Sequence, residues 1–160
     1  MKKYILLGII IGIGGLGIMI LPNILKKEVK ITSIQEFRFF YTQGYSINAE
    51  VIYSLKCNDT CEIEIKPYLE EPEKTHKIIV EKDFKEKLES ILRTYHVGRW
   101  NGFNKNNPYV LDGDSFSMNI TFQDGTNIFA SGYMEWPKQY RKVKEEIDAL
   151  FNEQLQEKDL

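Results

Sequence analysis

The apolar run Tyr4 to Leu21 constrains this chain more than any other stretch. It is eighteen residues without a charge, bounded by Lys2 and Lys3 on one side and Lys26 and Lys27 on the other, with Ile24 and Leu25 extending it. At ~1.5 Å of rise per helical residue, Tyr4 to Leu25 would extend about 33 Å, against roughly 30 Å of bilayer hydrocarbon. The expectation is one N-terminal transmembrane helix within Met1 to Lys27, retained as an anchor.

A cleaved secretory signal is the competing reading. Lys2 and Lys3 supply its basic segment, and Gly15-Leu16-Gly17 offers small residues for cleavage. A cut after Gly17 would fall inside the run, with Ile18 to Leu21 still to follow and no polar segment between, so the anchor is preferred. No cysteine closes the run, which argues against a lipid-modified terminus. Gly8, Gly12 and Gly15 stand at i, i+4 and i+7 and share one helix face, with one G-x-x-x-G spacing. That face would let a partner helix approach closely, although glycine is also common in membrane helices for no such reason.

Lysines on both sides of the run leave its orientation undecided by charge. The cysteines favour the outside: Cys57 and Cys61 are the only two, close in sequence, with no zinc-binding partners nearby, and a disulfide belongs to an oxidising compartment. Of the 21 basic residues, four lie in Met1 to Lys27 with no acid among them. The remainder therefore carries 17 basic against 23 acidic residues, a net charge near −6. An acidic domain is a poor match for nucleic acid, whose phosphates demand a basic surface.

After a polar connector, Glu28 to Ser33, period-two alternation begins. Phe37, Phe39 and Tyr41 oppose Arg38 and Thr42; Ile47 to Cys57 alternates over six apolar positions; Cys61, Ile63 and Ile65 resume the same phase. A three-residue loop, Asn58-Asp59-Thr60, would close a hairpin that sets Cys57 opposite Cys61, Leu55 opposite Ile63 and Tyr53 opposite Ile65. The two thiols would then lie within disulfide reach, or serve as small buried hydrophobes. Thr75 to Val80 is expected as a fourth strand. Ser115 to Gln123 and Thr126 to Tyr133 form a second hairpin, with Asp124-Gly125 read as a two-residue turn whose central positions both need positive φ.

Two helices are expected. Phe84, Leu88, Ile91, Leu92 and Tyr95 make one apolar stripe, and Tyr140, Val143, Ile147, Leu150 and Phe151 make another, with Pro137 at its opening. Val97 to Asp114 shows neither period and is expected as the long loop of the domain. Loops of that length in compact domains are disproportionately functional.

Chemistry is sparse. Asp112, Asp114 and Asp124 are the carboxylates to consider for catalysis, yet aspartate beside glycine is what tight turns select. Asp112-Gly113-Asp114 lacks the spacing of a calcium loop, neither His76 nor His96 has a ligand partner at metal spacing, and no phosphate loop or nucleophile elbow is present. No metal or cofactor is expected. Trp100 and Trp136 either pack the core or offer a platform for a sugar or protein segment.

Trp100-Asn101-Gly102-Phe103, then Leu111 to Phe116, Gln123-Asp124-Gly125, Ser131-Gly132 and Trp136-Pro137 before an amphipathic helix together form a pattern. It resembles a group of small extracytoplasmic domains, membrane-anchored or lipoprotein, of Gram-positive bacteria, over about the last third of the chain. Phe116 stands where that group usually has tryptophan, Met134 where asparagine is frequent, and a membrane helix replaces the lipobox. The resemblance implies location and architecture, and no activity.

The expected fold is α+β: an antiparallel sheet of five to six strands with two packed helices, preceded by one N-terminal transmembrane helix. The divisions are an anchor at 1–27, a connector at 28–33, a soluble domain at 34–155 and a frayed tail at 156–160. The expected role is a non-enzymatic binding module at the cell envelope, single-pass and facing outward, with a protein or envelope partner held by Arg99, Trp100, Phe103, Tyr109, Asp112 and Asp114. The alternatives are a small envelope hydrolase using Asp112 and Asp114, or an accessory or immunity subunit that contacts another membrane protein through Gly8 and Gly12.

Overall fold

The computed structural model describes residues 28–42, 50–66 and 75–158. The apolar run with Gly8, Gly12 and Gly15, and the first positions of the Ile47 to Cys57 alternation, lie outside the described residues. Among those described, no helix is long and apolar enough to cross a membrane.

Alternation becomes strand wherever one side chain in two can be buried. Three consecutive strands, β1 (Ile34–Thr42), β2 (Glu50–Cys57) and β3 (Cys61–Lys66), follow the expected phases, and β4 (His76–Val80) completes one wing. The β2–β3 register sets Cys57 against Cys61, Leu55 against Ile63 and Tyr53 against Ile65, and the two sulfurs form a disulfide at 1.98 Å. The other wing holds β5 (Phe103–Asn106), β6 (Ser115–Phe122) and β7 (Asn127–Tyr133).

These strands form one sheet in the order β4-β3-β2-β1-β6-β7-β5. This corrects the expected all-antiparallel sheet of five to six strands: among the described residues there are seven, and the β5–β7 pair is parallel. The seventh strand comes from within the supposed loop. It is four residues long and holds two asparagines, a type that strands disfavour, so it carries no readable alternation. Its pairing with Ala130 to Tyr133 holds it in place.

The turn between β6 and β7 also differs from expectation. Phe122 N–H donates to Thr126 O at 2.9 Å and Gly125 N–H to Phe122 O at 2.9 Å, so the reversal takes four residues, and only Gly125 has positive φ, at 80°. Asp124 instead accepts from the Thr126 amide and hydroxyl, a side-chain turn that needs no left-handed aspartate.

Both helices lie on one face. Helix α1 (Lys82–Thr94) buries Phe84, Leu88 and Leu92, and α2 (Tyr140–Lys158) buries Val143, Ile147, Leu150 and Phe151. Phe151 is the centre of this layer: its ring lies 4.7 Å from that of Tyr53, 5.0 Å from Phe84 and 6.1 Å from Phe37. Helix α2 runs to Lys158, into the segment expected to fray, and Leu155 packs against the core and extends the stripe by another turn.

Glu28 to Ser33 is a docked strap rather than a free connector. Ile31 is buried, Lys85 Nζ reaches Ser33 Oγ at 2.7 Å, and the buried Glu89 carboxylate accepts the Ile34 amide at 2.9 Å. Further back, Val29 N–H donates to Gly98 O at 3.1 Å. Glu28 meets Arg99 at 2.8 Å and His96 at 3.1 Å. His96 takes φ 54°, the left-handed conformation that ends a helix, and so turns toward the strap.

The Arg99 hydrogen bond, helped by His96, holds the Glu28 carboxyl below its ordinary range. A depressed carboxylate adds stability above its ordinary range, and that contribution disappears as pH falls through the lowered value. The Val29 amide shift, followed by NMR through mild acid, should therefore report loosening of the strap in the parent protein. Glu28→Gln should show the loosened signal at neutral pH and no such transition.

Candidate functional site

The end of the sheet where β1 finishes and β6 begins carries an open cleft of about 750 Å³, walled by Tyr41, Asp114, Trp136, Tyr140, Arg141 and Lys144. Strand β1 brings Tyr41 and Thr42, the residue before β6 brings Asp114, and the bend between β7 and α2 brings Trp136. Thr42 Oγ1 lies 3.1 Å from Ser115 Oγ and accepts the Ser115 amide at 2.9 Å, which ties the two strand ends together.

Trp136 is 37% exposed and stacks on Tyr140, with ring centres 4.6 Å apart and planes at 21°. On either side of it the backbone is strained: Met134 has φ 50° and Gln139 φ 65°, both without the freedom of glycine. Met134 N–H donates to Asp114 O at 2.9 Å, and Asp114 N–H points back to the Met134 sulfur at 3.2 Å, so the bend is clamped to the start of β6. Such strain costs of order 1–3 kcal/mol per residue and persists where the surroundings impose it, commonly at ligand clamps.

The inner wall is a hydrogen-bonded set. Tyr41 Oη donates to Asp148 Oδ1 at 2.7 Å, Lys144 Nζ to Asp148 Oδ2 at 2.7 Å, and the Lys144 ammonium sits 4.0 Å from the centre of the Tyr41 ring. Burial first, then Tyr53 and Asp148, raises the Tyr41 phenol far above its ordinary value. Burial, with the negative charges of Asp148 and Asp114, also raises Tyr140. Both phenols therefore remain protonated across the neutral range. Arg141 is paired to Glu145 at 3.1 Å.

The six residues singled out from sequence are dispersed. Trp100 is 3% exposed: its ring lies 6.3 Å from Phe116 and its indole N–H donates to Lys138 O at 3.2 Å, so it is a core residue and no platform. Arg99 is engaged by Glu28, and Phe103 packs 6.2 Å from Phe116 in the same aromatic cluster. Tyr109, 94% exposed, stands with Leu111, 91% exposed, on the loop between β5 and β6. Asp112 lies on that loop but does not line the cleft; Asp114 does.

Sequence reasoning therefore reached Asp114, and Trp136 as one of two tryptophans, but missed Tyr41, Tyr140, Arg141 and Lys144. Tyr140 reads as part of a core stripe, because helical spacing does not distinguish a ring under the sheet from one at its rim. Among the described residues no group of histidine, cysteine and acidic side chains is placed to hold a metal ion. No family model matches the chain, and comparison with curated proteins yields no match.

Proposed function

We propose that this chain is a membrane-tethered extracytoplasmic module that binds a cell-envelope component in the Trp136 cleft, without catalysing a reaction on it. The observation that carries this reading is the exposed, stacked Trp136, held by two left-handed non-glycine residues beside an open cleft. Aromatic side chains dominate binding hot spots, and Trp136 and Tyr140 converge here. Tyr109 and Leu111, on the neighbouring loop, also stand exposed.

The tether is read from the Tyr4 to Leu21 run, and the outward side from the Cys57–Cys61 pair, since disulfides persist in oxidising compartments. The strap joins β1 at Ile34, while the cleft opens beyond Tyr41. A strand rising ~3.3 Å per residue puts roughly 25 Å between these two ends of β1, and the strap folds back from Ile34 to Gly98.

A photo-crosslinking residue at Gln139 in intact cells should give a defined adduct, and one at Glu153 should not. Trp136→Ala should reduce the Gln139 adduct by about tenfold or more, with the cooperative unfolding of the domain retained. Equal yields at the two positions, or an adduct indifferent to Trp136, would remove the cleft from this role.

A further inference from the structure

We infer that the ligand of this cleft is a neutral oligosaccharide, one ring resting on Trp136 and the chain continuing past Thr42 onto the uncovered face of β6, β7 and β5. The inference rests on the cleft being the binding site and adds the chemical class of its ligand.

Charge is the first argument. The cations of the cleft are already satisfied within their own helix, Arg141 by Glu145 at 3.1 Å and Lys144 by Asp148 at 2.7 Å. A phosphorylated or acidic ligand would have to compete with those partners. What the cleft offers instead is an aromatic surface of Trp136 and Tyr140 edged by the hydroxyl of Thr42 and the amide of Gln139. Sugars match this combination, because one side of a pyranose is a sheet of C–H bonds and its rim is a ring of hydroxyls that both donate and accept.

The second argument is independent of the cleft. Thr42 is hydrogen-bonded to Ser115, and cross-strand pairing carries the same face from Ser115 to Tyr133 and on to Asn106. One step along lies the row Ser117, Ser131 and Asn104, where Ser131 Oγ donates to Asn104 Oδ1 at 3.1 Å. The next row holds Asn119 beside Phe129, which is 50% exposed. No strand position on this half of the face is charged, with Arg38 of β1 standing at its border beside Asn119, whereas the β1 to β4 half also carries Glu36, Lys56, Glu62, Glu64 and Lys77. Asparagine is disfavoured in strands, yet Asn104, Asn106, Asn119 and Asn127 all occupy exposed strand positions. Strand formation does not call for them. Amides that donate and accept at once, with an exposed aromatic among them, suit a polyhydroxylated chain without charge.

Calorimetric titration of the full chain in detergent micelles, with the tetrasaccharide of β-linked N-acetylglucosamine and with cellotetraose, tests this. At least one should bind saturably in the micromolar to millimolar range; Trp136→Ala should weaken it by about tenfold, and Asn104→Asp, a surface change of equal size, by a few fold. Absence of binding up to millimolar concentration, or affinity unchanged in both variants, would overturn the saccharide. If the Gln139 adduct still depends on Trp136 while neither sugar binds, the cleft stands and only the ligand class fails. If that dependence is absent as well, both readings fall.

Discussion

Replacing Phe151 with alanine should destabilise the domain by about 3–5 kcal/mol, the usual loss for a fully buried aromatic ring. The ring is fully buried and contacts three others, from Phe37 on β1, Tyr53 on β2 and Phe84 on α1. Those neighbours belong to elements anchored separately by sheet pairing and by the α1 stripe, so they cannot all close inward, and most of the cavity should persist. A domain of this size is held by roughly 5–15 kcal/mol, which makes the loss a large share of the whole. Denaturant unfolding followed by circular dichroism measures it. Phe151→Leu, which keeps much of the volume, should lose clearly less. Equal losses for the two variants would mean that α2 does not pack as described.

Gly98→Val should have the next largest effect, about 1–3 kcal/mol, from overpacking against backbone. A Cβ at Gly98 would stand 1.9 Å from the Val29 carbonyl oxygen, and the atom it meets is main chain, which cannot rotate away. Either the strap or the short 3₁₀ turn Val97–Trp100 must move, and the strap is held by fewer buried side chains. The Val29 amide should then lose its bond to Gly98 and exchange rapidly with solvent, while the β1, β2 and β6 amides stay protected. Arg99→Ala is the control: it removes the exposed Glu28 ion pair but introduces no backbone clash, and should loosen the Val29 amide less than the valine does. If the valine variant keeps Val29 protected, docking of the strap does not depend on this approach of the two backbones.

How far local pattern can be read is clear from the two tryptophans. Each sits beside a turn signal in an aromatic neighbourhood, and nothing in the residues around them tells their fates apart. Trp100 is carried inward because the 3₁₀ turn follows α1 directly and faces Phe116 and Tyr140; Trp136 stays at the rim because β7 ends just before it. The supposed loop shows the same limit. Arg99 to Asp114 is a single stretch in sequence, yet it divides into a clamp for the strap, a core residue, an edge strand and an exposed tip.

The sequence by itself determined the strands of β1 to β4, β6 and β7, the two helical stripes and the pairing of Cys57 with Cys61, because each depends on a short period or a close turn that neighbouring residues specify between them. Only the tertiary structure decided that β5 joins as a seventh, parallel strand, that Glu28 to Ser33 docks, and that Tyr41, Asp114, Trp136 and Tyr140 share one cleft. Those relations join residues far apart along the chain. Their geometry comes from the order in which strands stack and the angle at which helices cross them, which no local spacing records.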